Sequence, residues 1–215
     1  MRDNNQNTES ISEQERLQEM VDQTDSGARH PTGLSRKLLF GVPLVWSLFQ
    51  LWYASPLPFI LGFGVLNDTE ARSIHLAFAL FLAFTAFPAF RSSPRDHIPL
   101  QDWVFAILGA LSAAYLVIFY EALSGRSGAP TTLDLAVGIC GLVLLLEATR
   151  RALGPPLMIV AIIFLIYTFG GPYMPDVIAH KGQSIPKVMS HQWLTTEGVF
   201  GVALGVSTSF VFLFV

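Results

Sequence analysis

Apolar residues along this chain fall in long unbroken blocks, and polar residues are confined to the gaps between them. Neither the two-residue alternation of a half-buried strand nor the single stripe of a water-facing helix is sustained. The blocks are Leu38 to Leu66, Ser73 to Phe90, Trp103 to Tyr120, the run from Asp134 through Leu146 to Arg151, and Ala152 to Pro175. Each reaches or approaches the roughly 20 residues that an α-helix needs to cross about 30 Å of hydrocarbon. A sixth block, Gly198 to Val215, stays apolar to the last residue. The pattern predicts an all-α integral membrane protein, a polytopic helical bundle of about five complete transmembrane helices plus the start of a sixth.

The composition agrees: 52% of residues are hydrophobic and 13% charged, with a mean hydropathy of +0.49. The net charge of -3 gathers in the first residues, so no basic surface points to nucleic acid. Residues 1–37 are expected to form a disordered cytoplasmic tail. Glu9, Glu13, Glu15, Glu19, Asp22 and Asp25 make its first part too acidic and too poor in apolar side chains to order itself or to open a cleaved signal peptide. The single cysteine, Cys140, lies inside an apolar run and reads as a small buried hydrophobe. No metal-ligand spacing, phosphate loop or nucleophile elbow appears in the sequence, and no cofactor is expected.

Within the first block, Pro43 to Ser55 is the expected helix, with Pro56 and Pro58 breaking it. Gln50, the only amide there, is expected to bond to another helix. His75 is expected in the first turn of the second helix, near an interface, either as a hydrogen-bonded structural histidine or as a proton relay. Phe78, Phe81, Phe84, Phe87 and Phe90 recur every third residue and so wind around that helix toward several neighbours or lipid. Gly109, Ala110, Ala113 and Ala114 give the third helix a face that another helix can approach closely.

The densest signal is Glu147, Arg150, Arg151, Gly154, Pro155 and Pro156. The i, i+3, i+4 spacing lets the carboxylate reach either guanidinium on one helix face. Gly154 is suited to end the helix, and the two prolines to begin the next. The corner is either a helix terminus anchored at the headgroups by a local ion pair or a docking point for a partner segment. Beyond the fifth helix, residues 176–197 are expected to form a periplasmic loop. In it Ser184 caps a short amphipathic helix, with Ile185, Val188, Met189 and Gln192 or Trp193 on one side, lying along the membrane surface. Lys and Arg divide between the loops, with Arg29, Arg36, Lys37, Arg91, Arg95, Arg150 and Arg151 against Arg72, Arg126, Lys181 and Lys187. The positive-inside rule puts the first set, and the amino terminus, in the cytoplasm.

EATRRALGPPL at Glu147 to Leu157, FGGPYMP at Phe169 to Pro175 and LTTEGVFGVALGVSTSFVFLFV at Leu194 to Val215 together resemble the amino-terminal part of one transporter family. It is the fused membrane component of tripartite ATP-independent periplasmic (TRAP) transporters, of the TAXI type. RSIHLAFALFLAF at Arg72 to Phe84 is similar to that group's second helix. The resemblance implies a multi-pass protein of the bacterial inner membrane. Residues 38–151 are then the small four-helix domain, 152–175 a connecting transmembrane helix, and 198–215 the truncated first part of a large transport domain. Organic acid transport driven by sodium is implied, as are two partners besides the lipid bilayer: the large transport domain or subunit, and a periplasmic substrate-binding protein. The sodium and substrate ligands of the family have no counterpart in this sequence. The stop at Val215 is expected to reflect a split reading frame or a fragment. The leading reading is a scaffold for transport, and the second a membrane anchor or assembly protein. A membrane-embedded enzyme is not expected, because His75 and Glu147 fall at opposite ends of their helices.

Overall fold

The computed structural model describes residues 27–211 apart from 30, 91 and 127. Among the described residues the fold is all-helical. In chain order the helices are α1 (Gly33–Ala54), α2 (Leu57–Leu61), α3 (Asp68–Ala86), α4 (Leu100–Ile118), α5 (Tyr120–Ser124), α6 (Thr132–Leu153), α7 (Pro155–Gly170), α8 (Ile185–Trp193) and α9 (Val202–Val206). A 3₁₀ turn, Gly171–Tyr173, follows α7, and a π-turn, Ser207–Val211, follows α9. Among the described residues three helices are long and apolar enough to cross a membrane: Leu100–Ile118, Thr132–Leu153 and Pro155–Tyr173. The other two long helices carry polar groups within their length, Lys37 and Gln50 in α1, and Glu70, Arg72 and His75 in α3.

The helix starts follow local chemistry. Asn67 and Glu70 form a reciprocal capping box at α3, and Thr131 and Asp134 do the same at α6, each satisfying backbone donors that have no partner within the helix. α1 departs from expectation: it begins at Gly33, ten residues before Pro43, and runs through that proline to Ala54. The loss of one donor at Pro43 is tolerated between apolar turns, whereas Pro56 and Pro58 separate α1 from the short α2, which Gly62 ends at φ +64°. Arg36 and Lys37 therefore stand in the first turns of α1, not ahead of it. Of the tail expected over 1–37, residues 1–26 lie outside the described residues. Before α1 the chain is pinned at Arg29, whose side chain is buried, and at Thr32, whose N–H bonds to the Asp96 carbonyl.

α3 and α4 form the closest pair, and the small residues of α4 explain why. Ala106 and Ala113 are fully buried, and a Cβ on Gly109 would stand 3.3 Å from the Leu80 Cβ. The Ser73 hydroxyl donates to the Ala113 carbonyl at 2.6 Å, which keeps a buried polar group satisfied. Leu76, Leu80 and Phe84 of α3 complete this core with Leu144 and Ala148 of α6. The phenylalanine series is shorter than expected, because α3 ends at Ala86 and leaves Phe87 and Phe90 beyond it; within the helix Phe84 is buried and Phe78 stacks on Trp46.

α8 does not lie on the surface with its apolar side against lipid. Val188, Met189 and Trp193 are buried against α6 and α4, and Trp193 Nε1 donates to the Ser112 carbonyl at 3.0 Å. Gly138 and Gly141 of α6 open the slot: a Cβ on Gly141 would stand 2.1 Å from the Trp193 ring. An apolar helix face buries itself wherever a matching slot exists, and two glycines one turn apart supply it.

Candidate functional site

The corner between α6 and α7 is the centre of a charged network that ties one end of the bundle together. Gly154 carries φ +88°, a conformation that L side chains avoid, and its N–H bonds to the Arg150 carbonyl at 3.1 Å. Pro155 and Pro156 then open α7, where no N–H donor is needed. Upstream, Glu147 accepts from Arg150 Nε at 2.7 Å and Nη2 at 2.6 Å, and from Arg151 Nε at 2.8 Å. The carboxylate thus engages both guanidiniums at once.

The network then leaves α6. Arg151 Nη1 donates to Asp102 Oδ1 at 2.7 Å, and the other carboxylate oxygen of Asp102 accepts from Arg29. Arg29 donates in addition to the carbonyls of Phe84 and Thr85 at 3.1 and 3.2 Å, and its own N–H reaches the Ala86 carbonyl at 2.7 Å. Its charge sits on the carbonyl end of α3, where the helix dipole favours it. Arg150 Nη2 binds the Ala89 carbonyl at 2.9 Å. The guanidinium of Arg151 lies over the Phe84 ring at 4.9 Å, and that of Arg150 over Phe90 at 5.3 Å.

Burial separates the members. The side chains of Arg29, Arg151 and Asp102 are 0%, 1% and 4% exposed, against 25% and 27% for Arg150 and Glu147. Three guanidiniums thus share two carboxylates, the deepest of them fully desolvated and mutually paired. Such a cluster has structural consequences: its charges pair with one another and with backbone carbonyls of several separate segments.

The opposite end of α4 and α6 carries a second, simpler cluster. Asp134 accepts from the Tyr115 hydroxyl at 2.6 Å, from Arg126 at 2.9 and 3.0 Å, and from the Thr131 N–H at 2.8 Å. Arg126 stands in the loop between α5 and α6, and its bond to Asp134 raises the guanidinium pKa above its ordinary value.

Gln50 and His75 meet in a third place. His75 is not in the first turn of its helix: it lies in the third turn of α3 and is buried. Its Nδ1 contacts the Gln50 amide and accepts from Trp46 Nε1 at 3.3 Å, while Nε2 lies 3.3 Å from the Ser207 hydroxyl. With an indole donor on Nδ1, the ring proton belongs on Nε2, directed at Ser207. The Gln50 Oε1 is buried and has no partner among the described residues.

The spacing rule found Glu147, Arg150 and Arg151 but missed Arg29 and Asp102. Asp102 read as the end of a hydrophilic connection, yet it is a buried group of α4. A lone carboxylate in the first turn of an otherwise uncharged span was the available signal.

No family model, curated protein or solved structure matches this chain.

Proposed function

We propose that this chain is the scaffold part of the membrane component of a TRAP-type secondary transporter for organic acids. In this reading α1, α3, α4, α6 and α7 cross a bacterial inner membrane with the amino terminus in the cytoplasm, and α9 with the π-turn opens the transport domain. The observation that carries it is α7. That helix carries no charge in its 16 residues, is apolar on every face from Pro155 to Ile166, and buries none of its side chains. A helix apolar on every face is stable only in lipid or against other apolar helices, so it suits a connector leading from one bundle to another.

The network at the Arg151 end supports the fixed role. Alternating access rocks one bundle against a partner, and a bundle clamped across several segments is suited to stay still. Sodium coupling, the solute and the periplasmic binding protein follow from the resemblance, and no residue here is assigned to them. Radiolabelled organic acid uptake into vesicles tests the proposal. Uptake is expected only when this chain, a large transport subunit and a binding protein are all present. Uptake by the chain alone overturns the scaffold reading, and uptake that does not depend on this chain favours a membrane anchor instead.

A further inference from the structure

We infer that the groove between α1 and α3 is a binding site for an anionic phospholipid, with one acyl chain in the groove and the headgroup phosphate on Lys37. The groove has a volume of about 370 Å³, and its lining is almost wholly apolar. Leu34, Lys37, Leu38, Gly41 and Val45 follow one face of α1 at helical spacing, and Phe78 of α3 closes the groove. Phe78 in turn stacks on Trp46 at 6.2 Å, the residue after Val45, so the aromatic wall stands at the Val45 end.

Two dimensions favour an acyl chain. At 1.5 Å per residue, Lys37 to Val45 spans about 12 Å. That is most of the depth of one leaflet, half of the roughly 30 Å hydrocarbon core. Gly41 leaves the middle open, since a Cβ there would meet nothing within 4 Å. Charge selects the headgroup. Lys37 lines the end of the groove away from the aromatic wall, and Arg36 is exposed beside it. Cations on the first turns of a membrane helix attract anionic lipid. Both lie at the bundle end that holds Arg29 and Arg151, because the Thr32 N–H bonds to the Asp96 carbonyl at 3.2 Å.

The inference rests on the bilayer reading and not on transport. Native mass spectrometry of the full chain in detergent, titrated with phosphatidylglycerol or phosphatidylcholine of equal chain length, tests it. The first phosphatidylglycerol is expected to bind about fivefold tighter, the contribution of one lysine near an anionic surface. Lys37→Ala should bring that affinity down to the phosphatidylcholine value. Gly41→Leu should weaken both lipids by filling the groove, and Lys187→Ala, remote from the groove, should change neither. Equal affinity for the two lipids in the parent chain overturns the inference, as does a preference that survives Lys37→Ala. A preference that appears only after deletion of residues 1–26 also overturns it, because the acidic segment would then be the occupant. A chain that stays monodisperse without detergent defeats the bilayer reading itself, a result distinct from lipid binding without headgroup preference.

Discussion

The two ends of the bundle are both held by arginine and aspartate, but they are held differently. At the Asp134 end the partners come from Tyr115, Arg126 and Thr131, close to Asp134 in the chain. Arg126 keeps a third of its side chain exposed. At the Arg151 end the cluster gathers α3, α4, α6, the α3–α4 connection and the segment before α1, and its innermost groups are cut off from water. A charge that still touches water can turn back to it when its partner is lost. A charge that has been buried cannot, and the second arrangement therefore fixes distant segments far more firmly than the first.

The largest expected effect follows directly. Asp102→Ala leaves Arg29 buried without a counter-charge and Arg151 with Glu147 alone, and a loss of about 3–5 kcal/mol is expected, read as a lower melting point in detergent. The triple replacement Arg29→Met, Asp102→Leu, Arg151→Met should recover much of that loss, because removing all the charges removes the desolvation cost as well. A single-variant loss under about 1 kcal/mol would show that water reaches the cluster. Asp134→Ala comes next, at about 1–3 kcal/mol. It strands the Tyr115 hydroxyl and removes the α6 capping box, but Arg126 is free to turn outward. If the two single variants cost the same, the contrast between the ends fails.

The same contrast explains how much was readable beforehand. Helices appear in sequence because apolar blocks and caps are local, so three membrane-capable helices and the Glu147 pairing follow from spacing alone. Asp102 lies 73 residues from Arg29 and 49 from Arg151, and no periodicity links positions that far apart. The α8 slot was hidden for another reason. Gly138 and Gly141 mark it only by the side chains they lack, so Gln192 or Trp193 read as part of the apolar side of a helix lying along the membrane surface. The prolines misled in one place: Pro43 looked like a helix start, but the apolar turns around it carry α1 straight through.

A smaller effect probes the slot. Gly141→Ala places a methyl group inside the Trp193 ring, and overpacking of this kind costs about 1–3 kcal/mol. Hydrogen exchange should then quicken across residues 188–194, while the Arg29 and Arg151 segments keep their protection. In a Trp193→Phe background the added methyl should cost less. Faster exchange at both ends would mean that α8 supports the charged cluster too, and the ends would no longer be independent.

The smallest effect lies between the ends, at Gln50, where two terms oppose each other. Gln50→Met removes the amide contact to His75 Nδ1, and interhelical hydrogen bonds in membrane proteins average about 0.6 kcal/mol. It also removes a buried acceptor that has no partner among the described residues, and relief of such a group is worth about 1–3 kcal/mol. Methionine keeps the length of the side chain, so packing changes little. The second term is the larger by about 0.4–2.4 kcal/mol, so a gain in melting point is expected. The indole donor from Trp46 remains on Nδ1, so His75 should keep its orientation. A clear loss of stability on Gln50→Met would therefore say that Oε1 does have a partner, and that this interior pair, like the Arg151 end and unlike the Asp134 end, is held by a group distant in the chain.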